Sequence, residues 1–185
     1  FLSKFYVGII YFFLYIPIAV LIFFSFNDSK SRVLFTGFTT KWYEKLFTND
    51  LIINALLNTL SVALIAGVFA VILGTGAAIG INAMNKKLKS LLLNISYLPI
   101  IDPDIITGIS LMLLFILLKM EMGFSTLVLA HITFNVPIVI FNVLPKLKQM
   151  DKNVYNAALD LGCNPAQAFT KVVLPEIMPG IAAGF

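Results

Sequence analysis

Charge is scarce in this chain of 185 residues: 13 Lys and Arg with 9 Asp and Glu make only 12% of it. A soluble domain carries about twice that share, so an ordinary water-facing surface is excluded. Cysteine is reduced to Cys163, which rules out an internal disulfide framework. His131 is the single histidine, and no Cys or His pair stands at metal-ligand spacing. The chain contains no G-x-G-x-x-G, no P-loop and no Ser-His-Asp arrangement, the patterns that hold dinucleotides and phosphates or build acyl-transfer sites. No catalytic residue, metal or cofactor is therefore expected on it. Nucleic acid is not an expected partner either, because the basic residues are scattered at segment ends rather than gathered in a patch.

What is present is apolar: 59% of residues are hydrophobic, 17 of them Phe. A membrane-spanning helix needs about 20 mostly apolar residues. Four stretches qualify, 5–26, about 55–82, about 91–118 and about 124–144, and a fifth begins near Ile177. The first is too long for a cleaved signal peptide and is followed by no small-x-small cleavage site. The absence of an initiating Met, and an end inside an apolar run, lead to the expectation of a fragment cut within its fifth span. The connections are a polar loop over 27–54 with a short helix at KWYEKLF, a tight Lys-rich turn AMNKKLKS (83–90), a hairpin KMEMG (119–123) and a long polar segment over 145–176. Basic residues at span ends favour the cytoplasm. An inside N-terminus places Lys4, Lys86, Lys87, Lys89, Lys146, Lys148, Lys152 and Lys171 within, and Lys30, Arg32, Lys41, Lys45 and Lys119 outside.

Several residues stand out against this background. Ala66, Ala70 and Gly74, then Gly76 and Gly80, supply small residues at helical spacing for close helix packing. YLPIIDPDIITG (97–108) puts two aspartates inside an apolar span. Asp102 before Pro103 reads as an N-cap followed by the first helical residue. Asp104 lies ~20 Å from either end of the span at 1.5 Å per residue, where an ionisable group faces a cavity or a partner. In a continuous helix Tyr97, Asp104 and Gly108 share a face, an arrangement suited to a cation. His131 has two readings, an interhelical hydrogen bonder or a proton relay. Trp42 also has two, an interfacial anchor or a cation-binding aromatic at an entrance.

The segment YNAALDLGCNPAQAFTKVVLP (155–175) is polar where its neighbours are not. Val154, Ala157, Ala158 and Leu161 form a helical stripe that Asp151 can start. Gly162 stands where a helix takes its C′ glycine. Asn164-Pro165-Ala166-Gln167 reads as a capping box opening a second short helix, with Leu174-Pro175 as its end. The expected unit is helix, glycine elbow, helix. It is suited to docking on something soluble or, failing that, to lying on lipid headgroups.

That spacing resembles the EAA loop of ABC importer permeases, E-A-A-x3-G-x9-I-x-L-P, here carried by Asn156-Ala157-Ala158, Gly162 and Val172-Val173-Leu174-Pro175. Asn156 replaces the glutamate of the pattern, which turns an ion pair into a neutral hydrogen bond. Within the family, FLYIPIAVLIFFSFN, GFTTKWY, PDIITGISLMLLF and HITFNVPIV are similar to the spermidine/putrescine permeases, over nearly the whole chain. The resemblance implies an all-α polytopic membrane bundle of the type I importer kind, with four complete spans and the start of a fifth. It implies a first helix and extracytoplasmic loop over 1–54 and a permease core over 55–185 whose coupling loop, 151–175, docks on an ATPase. A second permease and an extracytoplasmic polyamine-binding protein complete the implied machine, with ATP hydrolysed on the partner. Asp104, Trp42 and Tyr97 are then expected along the substrate path. Three rivals stand beside this reading: the same machine with another small solute, a proton-coupled transporter using Asp104 and His131, and an intramembrane hydrolase, which the lack of a nucleophile–base pair disfavours.

Overall fold

The computed structural model describes residues 2–31, 33–101 and 104–185. The expected cap at Asp102 and Pro103, and Arg32 of the outer set, lie outside them. The chain divides into units Phe1–Asn58 and Thr59–Phe185. Among the described residues all long elements are helical, and strand pairing is confined to one bridge, Asn27 with Phe38.

In the first unit, α1 (Leu2–Ser25) presents an apolar window over Lys4–Phe24 with none of it buried. A helix apolar all round, of this length, has the composition of a membrane span. Pro17 sits inside it, a placement membrane helices tolerate. The loop after α1 is organised by Asn27, only 1% exposed. Its Nδ2 donates to the carbonyls of Ser31 (3.0 Å) and Leu34 (2.7 Å), and its Oδ1 accepts from the Thr36 N–H (2.9 Å). α2 (Lys41–Thr48) forms where KWYEKLF suggests, and Trp42 Nε1 donates to the Asn27 carbonyl at 2.7 Å. Removing the Asn27 amide strands three backbone groups, each costing about 1–3 kcal/mol if left buried and unpaired. Asn27→Ala is therefore expected to open the 28–38 loop. Limited proteolysis should cut there several-fold faster, with helix content by circular dichroism unchanged.

α3 (Asp50–Ala83) starts five residues before the apolar run, because Asn49 caps it: Asn49 Oδ1 accepts from the Leu51 N–H at 3.0 Å. In the second unit α3 buries Val62, Ala66, Ala70, Gly74 and Ala78, one row at four-residue spacing. A Cβ on Gly74 would lie 2.6 Å from the Val139 Cβ, so α3 and the later helix α6 (Phe124–Gln149) meet almost backbone to side chain there. Gly76 and Gly80, expected in the same packing, meet nothing within 4 Å. At about 100° per residue they lie some 200° and 240° around the helix from Gly74, which turns them away from α6.

The Lys-rich turn is shorter than expected. Only Met84 and Asn85 separate α3 from α4 (Lys86–Ile101). Asn85 Oδ1 accepts from the Leu88 N–H at 3.0 Å, so its three lysines belong to the helix it caps. The third apolar stretch is not one straight helix: α4 and α5 (Asp104–Leu117) are bent by 106°. Among the described residues three helices are long and apolar enough to cross a membrane, and four crossings result when α4 and α5 are counted as one broken span. α5 ends in a turn where the Met120 N–H reaches the Phe115 carbonyl and the Lys119 N–H that of Ile116, both at 2.9 Å. Lys119 takes φ +56° at the position glycine usually holds.

α6 is the central element. Val139, Val143, Leu144 and Leu147 are buried against Ala70, Ala78 and Ile81 of α3 on one side, and against Val173 and Ile177 on the other. α7 (Lys152–Asp160), α8 (Pro165–Ala168), a π turn (Phe169–Val173) and α9 (Leu174–Gly184) follow. Leu174-Pro175 does not end the second short helix. The chain stays helical through it, with Val173 and Leu174 both in right-handed helical conformation. The π turn explains this: the Leu174 N–H bonds the Phe169 carbonyl, five residues back. That wider turn shifts the carbonyls against which a proline ring would otherwise clash. α9 then packs on α6 through Gly180 and Gly184, a small-xxx-small pair absent from the expected packing residues.

Candidate functional sites: a helix elbow and a helix-lined cleft

The elbow is built by local chemistry. Asp151 caps α7, its Oδ1 accepting from the Asn153 N–H at 2.9 Å. At the other end the Cys163 N–H reaches the Ala158 carbonyl (3.0 Å) and the Gly162 N–H that of Leu159 (2.9 Å). These are the paired bonds of a Schellman motif. They require a left-handed residue at Gly162, which has φ +88°. Asn164 Oδ1 then accepts from the Gln167 N–H (2.8 Å), and Gln167 Oε1 accepts from the Asn164 N–H (3.1 Å), a reciprocal capping box with Pro165 in the first turn.

The stripe on α7 is divided between two faces. Ala158 is buried, and Tyr155 packs against the α6 core. Val154, Ala157 and Leu161 are exposed, Leu161 at 87%, with Asn156 exposed beside them. Past the elbow, Ala168, Val173 and Ile177 are buried, and Leu174 packs on the same core. Pro175 is exposed. One end of the unit thus offers a small apolar edge, and the other is rooted in the helix pair α6 and α9.

The second site lies between α5 and α6. Asp104, Gly108, His131 and Asn135 line a cleft of about 480 Å³ together with Phe134 and Ile138, and Pro99 and Ile100 from the end of α4 border it too. Neither Asp104 nor Asn135 has a hydrogen-bond or ion-pair partner among the described residues. His131 Nδ1 lies 2.8 Å from the Leu127 carbonyl of its own helix. A carbonyl only accepts, so Nδ1 carries the proton, and in the neutral ring Nε2 is an acceptor. The expected interhelical bond of His131 is replaced by this local one. Ser110, Thr133 and Asn142 likewise donate to carbonyls four residues back, at 2.8–2.9 Å, which satisfies them inside apolar helices.

Tyr97 does not share a face with Asp104. The bend after α4 ends the common helical register, and the Tyr97 ring packs on Phe141 of α6 at 4.1 Å between centroids. Gly108, four residues after Asp104 on α5, does line the same cleft. In the other unit Trp42 borders a separate cleft with Ser29, Lys30 and Tyr43. Lys41 and Lys45 Nζ lie 5.0 and 5.3 Å from its ring centroid, so the chain's own cations already flank that face. Lys41 also pairs with Asp28.

Residues 70–185 match the family model described as binding-protein-dependent transport system inner membrane component. The chain belongs to this family. It is 38% identical over 176 residues to the spermidine/putrescine transport system permease protein PotC of Escherichia coli (strain K12), covering 95% of this chain and 67% of the relative. The PotC of Haemophilus influenzae is 32% identical over 185 residues, covering 100% of this chain and 72% of its own length. The putrescine transport system permease protein PotI of E. coli (strain K12) is 35% identical, with 94% and 64% covered. The chain thus spans about two thirds of the length of these relatives. As a binding-protein-dependent inner-membrane component it is a multi-pass membrane protein that serves transport, and the elbow at Gly162 lies within the matched residues.

His131 in the cleft of Asp104, which sequence reasoning pairs with it only in the proton-coupled alternative, Asn27 as organiser of the outer loop and the Gly180–Gly184 pair, neither of which it singles out, are the residues whose placement the fold adds. The last had a signal, G-x-x-x-G at the start of an apolar run. The first two needed three-dimensional neighbours that no local spacing encodes.

Proposed function

We propose that this chain is a transmembrane permease subunit of an ATP-driven importer for polyamines. The observation that carries the reading is the 32–38% identity, over almost the whole chain, to permeases named for spermidine and putrescine. The geometry agrees with it at both sites. The exposed edge of Val154, Ala157 and Leu161, with Asn156 beside it, is of a size and polarity to enter a cleft on a soluble ATPase, which hydrolyses the ATP. Gly162 sets its angle, and Leu174 and Pro175 lead into the rooted end. A second permease and an extracytoplasmic polyamine-binding protein complete the assembly. Residues 1–54 supply the first span and outer loop, and 55–185 the core with its coupling segment, 151–175.

Asp104 is the residue best placed to guide a polycation. A carboxylate within a membrane span that has no partner among the described residues is costly, and an ammonium offsets that cost. Tyr97 and Trp42 belong to the path more weakly, since one ring already packs on Phe141 and two lysines lie near the other. The assembled importer in vesicles should take up spermidine only with ATP and all partner subunits, and should ignore a proton uncoupler. Uptake that proceeds without the ATPase, or collapses with the proton gradient, would sink the reading in favour of a proton-coupled carrier. In the same assay Asp104→Asn should lower uptake at limiting spermidine by at least about tenfold, the loss of one charge-assisted contact worth about 1.5–3 kcal/mol, with the complex still co-purifying. Unchanged uptake would remove Asp104 from the path.

A further inference from the structure

The length of α1 fixes the depth of the cleft beside Trp42. Its apolar window, Lys4–Phe24, has 21 residues, or about 31 Å at 1.5 Å per residue. A hydrocarbon core is about 30 Å thick, so Phe24 stands at its edge and Ser25 at headgroup level. The following loop stays there, because the Phe35 ring stacks on Phe23 at 4.9 Å. Val33, Leu34 and Phe38 of that loop are exposed, an apolar edge suited to lipid and costly in water.

The cleft itself, about 480 Å³, has Phe24, Trp42 and Leu46 as its apolar lining. Two of its polar residues satisfy each other. Ser25 Oγ donates to the Ile22 carbonyl at 2.6 Å, so the Tyr43 hydroxyl donates to Ser25 Oγ at 2.7 Å. Ser29 and Ser31 differ. Their Oγ atoms accept the N–H groups of Ser31 (3.0 Å) and Val33 (3.2 Å), which holds the oxygens in place. Their O–H protons have no acceptor among the described residues, and Lys30 Nζ has no partner there either. Asp28, two positions before Lys30, pairs with Lys41 instead. Lys30 is the one lining residue with a formal charge.

We propose that this cleft binds the headgroup of an anionic glycerophospholipid. Three unused donors, one of them charged, call for an oxyanion. Lys30 and the two serine hydroxyls take the phosphate oxygens, and an acyl chain covers Phe24, Trp42 and Leu46. A free phosphate would leave those apolar walls in water. A zwitterionic lipid would bring an ammonium, and no carboxylate lines the cleft to receive it. The depth set by α1 puts the site where phosphates of the bilayer lie. The bound lipid then ties the end of the first span to the outer loop. This inference does not depend on which solute is carried.

Trp42 is the only Trp of this chain and lines the cleft, so its fluorescence reports the occupant. The full-length permease is reconstituted in phosphatidylcholine vesicles containing a small fraction of brominated phosphatidylglycerol or brominated phosphatidylcholine, whose bromines quench indole emission. Trp42→Phe supplies the background from any other tryptophan. Half-maximal quenching of Trp42 should need about fivefold less phosphatidylglycerol than phosphatidylcholine, the preference one Lys gives for an anionic lipid. Lys30→Gln should abolish that preference, and Lys30→Arg should keep it. Millimolar glycerol phosphate should not relieve the quenching. Equal quenching by the two lipids in the wild type, or a preference that survives Lys30→Gln, overturns the site. Relief by glycerol phosphate would make it a pocket for a small soluble anion and the lipid assignment wrong. If Lys30→Gln leaves the lipid preference intact and weakens docking of an extracytoplasmic binding protein, the cleft is a protein interface instead.

Discussion

Gly162→Val should leave the proposed importer assembled, with ATP hydrolysis near normal, and cut uptake by an order of magnitude or more. Gly162 holds φ +88°, and both Schellman bonds that close α7 depend on it. A β-branched residue forced into this region costs about 1–3 kcal/mol. The chain escapes that cost by opening the turn and changing the angle between α7 and α8. A penalty of about 2 kcal/mol shifts the closed elbow population by up to roughly 30-fold. No atom lies within 4 Å of a Cβ on Gly162, so the strain is purely one of backbone conformation. Gly162→Asn should therefore stay close to wild type, because Asn tolerates the left-handed region. Uptake per ATP hydrolysed, measured for both variants, checks this. Coupled transport in the Val variant, or equal failure of Val and Asn, would count against the elbow as the element that transmits the motion.

The second large effect concerns folding. Gly180→Val should destabilise the α6–α9 pair by about 3 kcal/mol, the upper end of ordinary overpacking. A Cβ on Gly180 would lie 2.7 Å from the Asn142 carbonyl oxygen and 3.2 Å from the Val143 Cα, so the obstacle is backbone and cannot rotate away. The root of the elbow lies in the same helix pair, with Val173 and Ile177 packed against Val143 and Leu147. The variant should purify poorly and lose its monodisperse peak at a temperature several degrees lower. Gly76→Val, on a face where nothing lies within 4 Å, is the control and should behave as wild type. A Gly180→Val protein as heat-resistant as the control would show that α6 and α9 separate freely.

The two sites differ in how far sequence reveals them. The elbow is written in neighbouring residues. Asp151, Gly162, Asn164, Pro165 and Gln167 each satisfy a backbone group within five positions, and caps of that kind act locally. Its far end was less legible, because a proline normally stops a helix and only the π turn over Phe169–Val173 carries the chain past Pro175. The cleft shows the opposite balance. Asp104 is conspicuous as a charge in an apolar span, and of the face expected with it Gly108 lines the cleft while Tyr97 does not. Tyr97 was placed with it by assuming one straight helix, and the 106° bend between α4 and α5 sends that ring to Phe141 instead. His131 comes to the cleft of Asp104 through the packing of α5 on α6, although the two positions are 27 residues apart in the chain.

The sequence by itself determined that the chain is an all-helical membrane protein, where its caps and elbow lie, and which family it resembles. These depend on hydrophobic run length and on hydrogen bonds closed within a turn or two. Tertiary structure decided which small residues are contacts, Gly74, Gly180 and Gly184 rather than Gly76 and Gly80, and which polar groups share a cleft. Periodicity marks a helix face but not the neighbour it meets, and only packing chooses that neighbour.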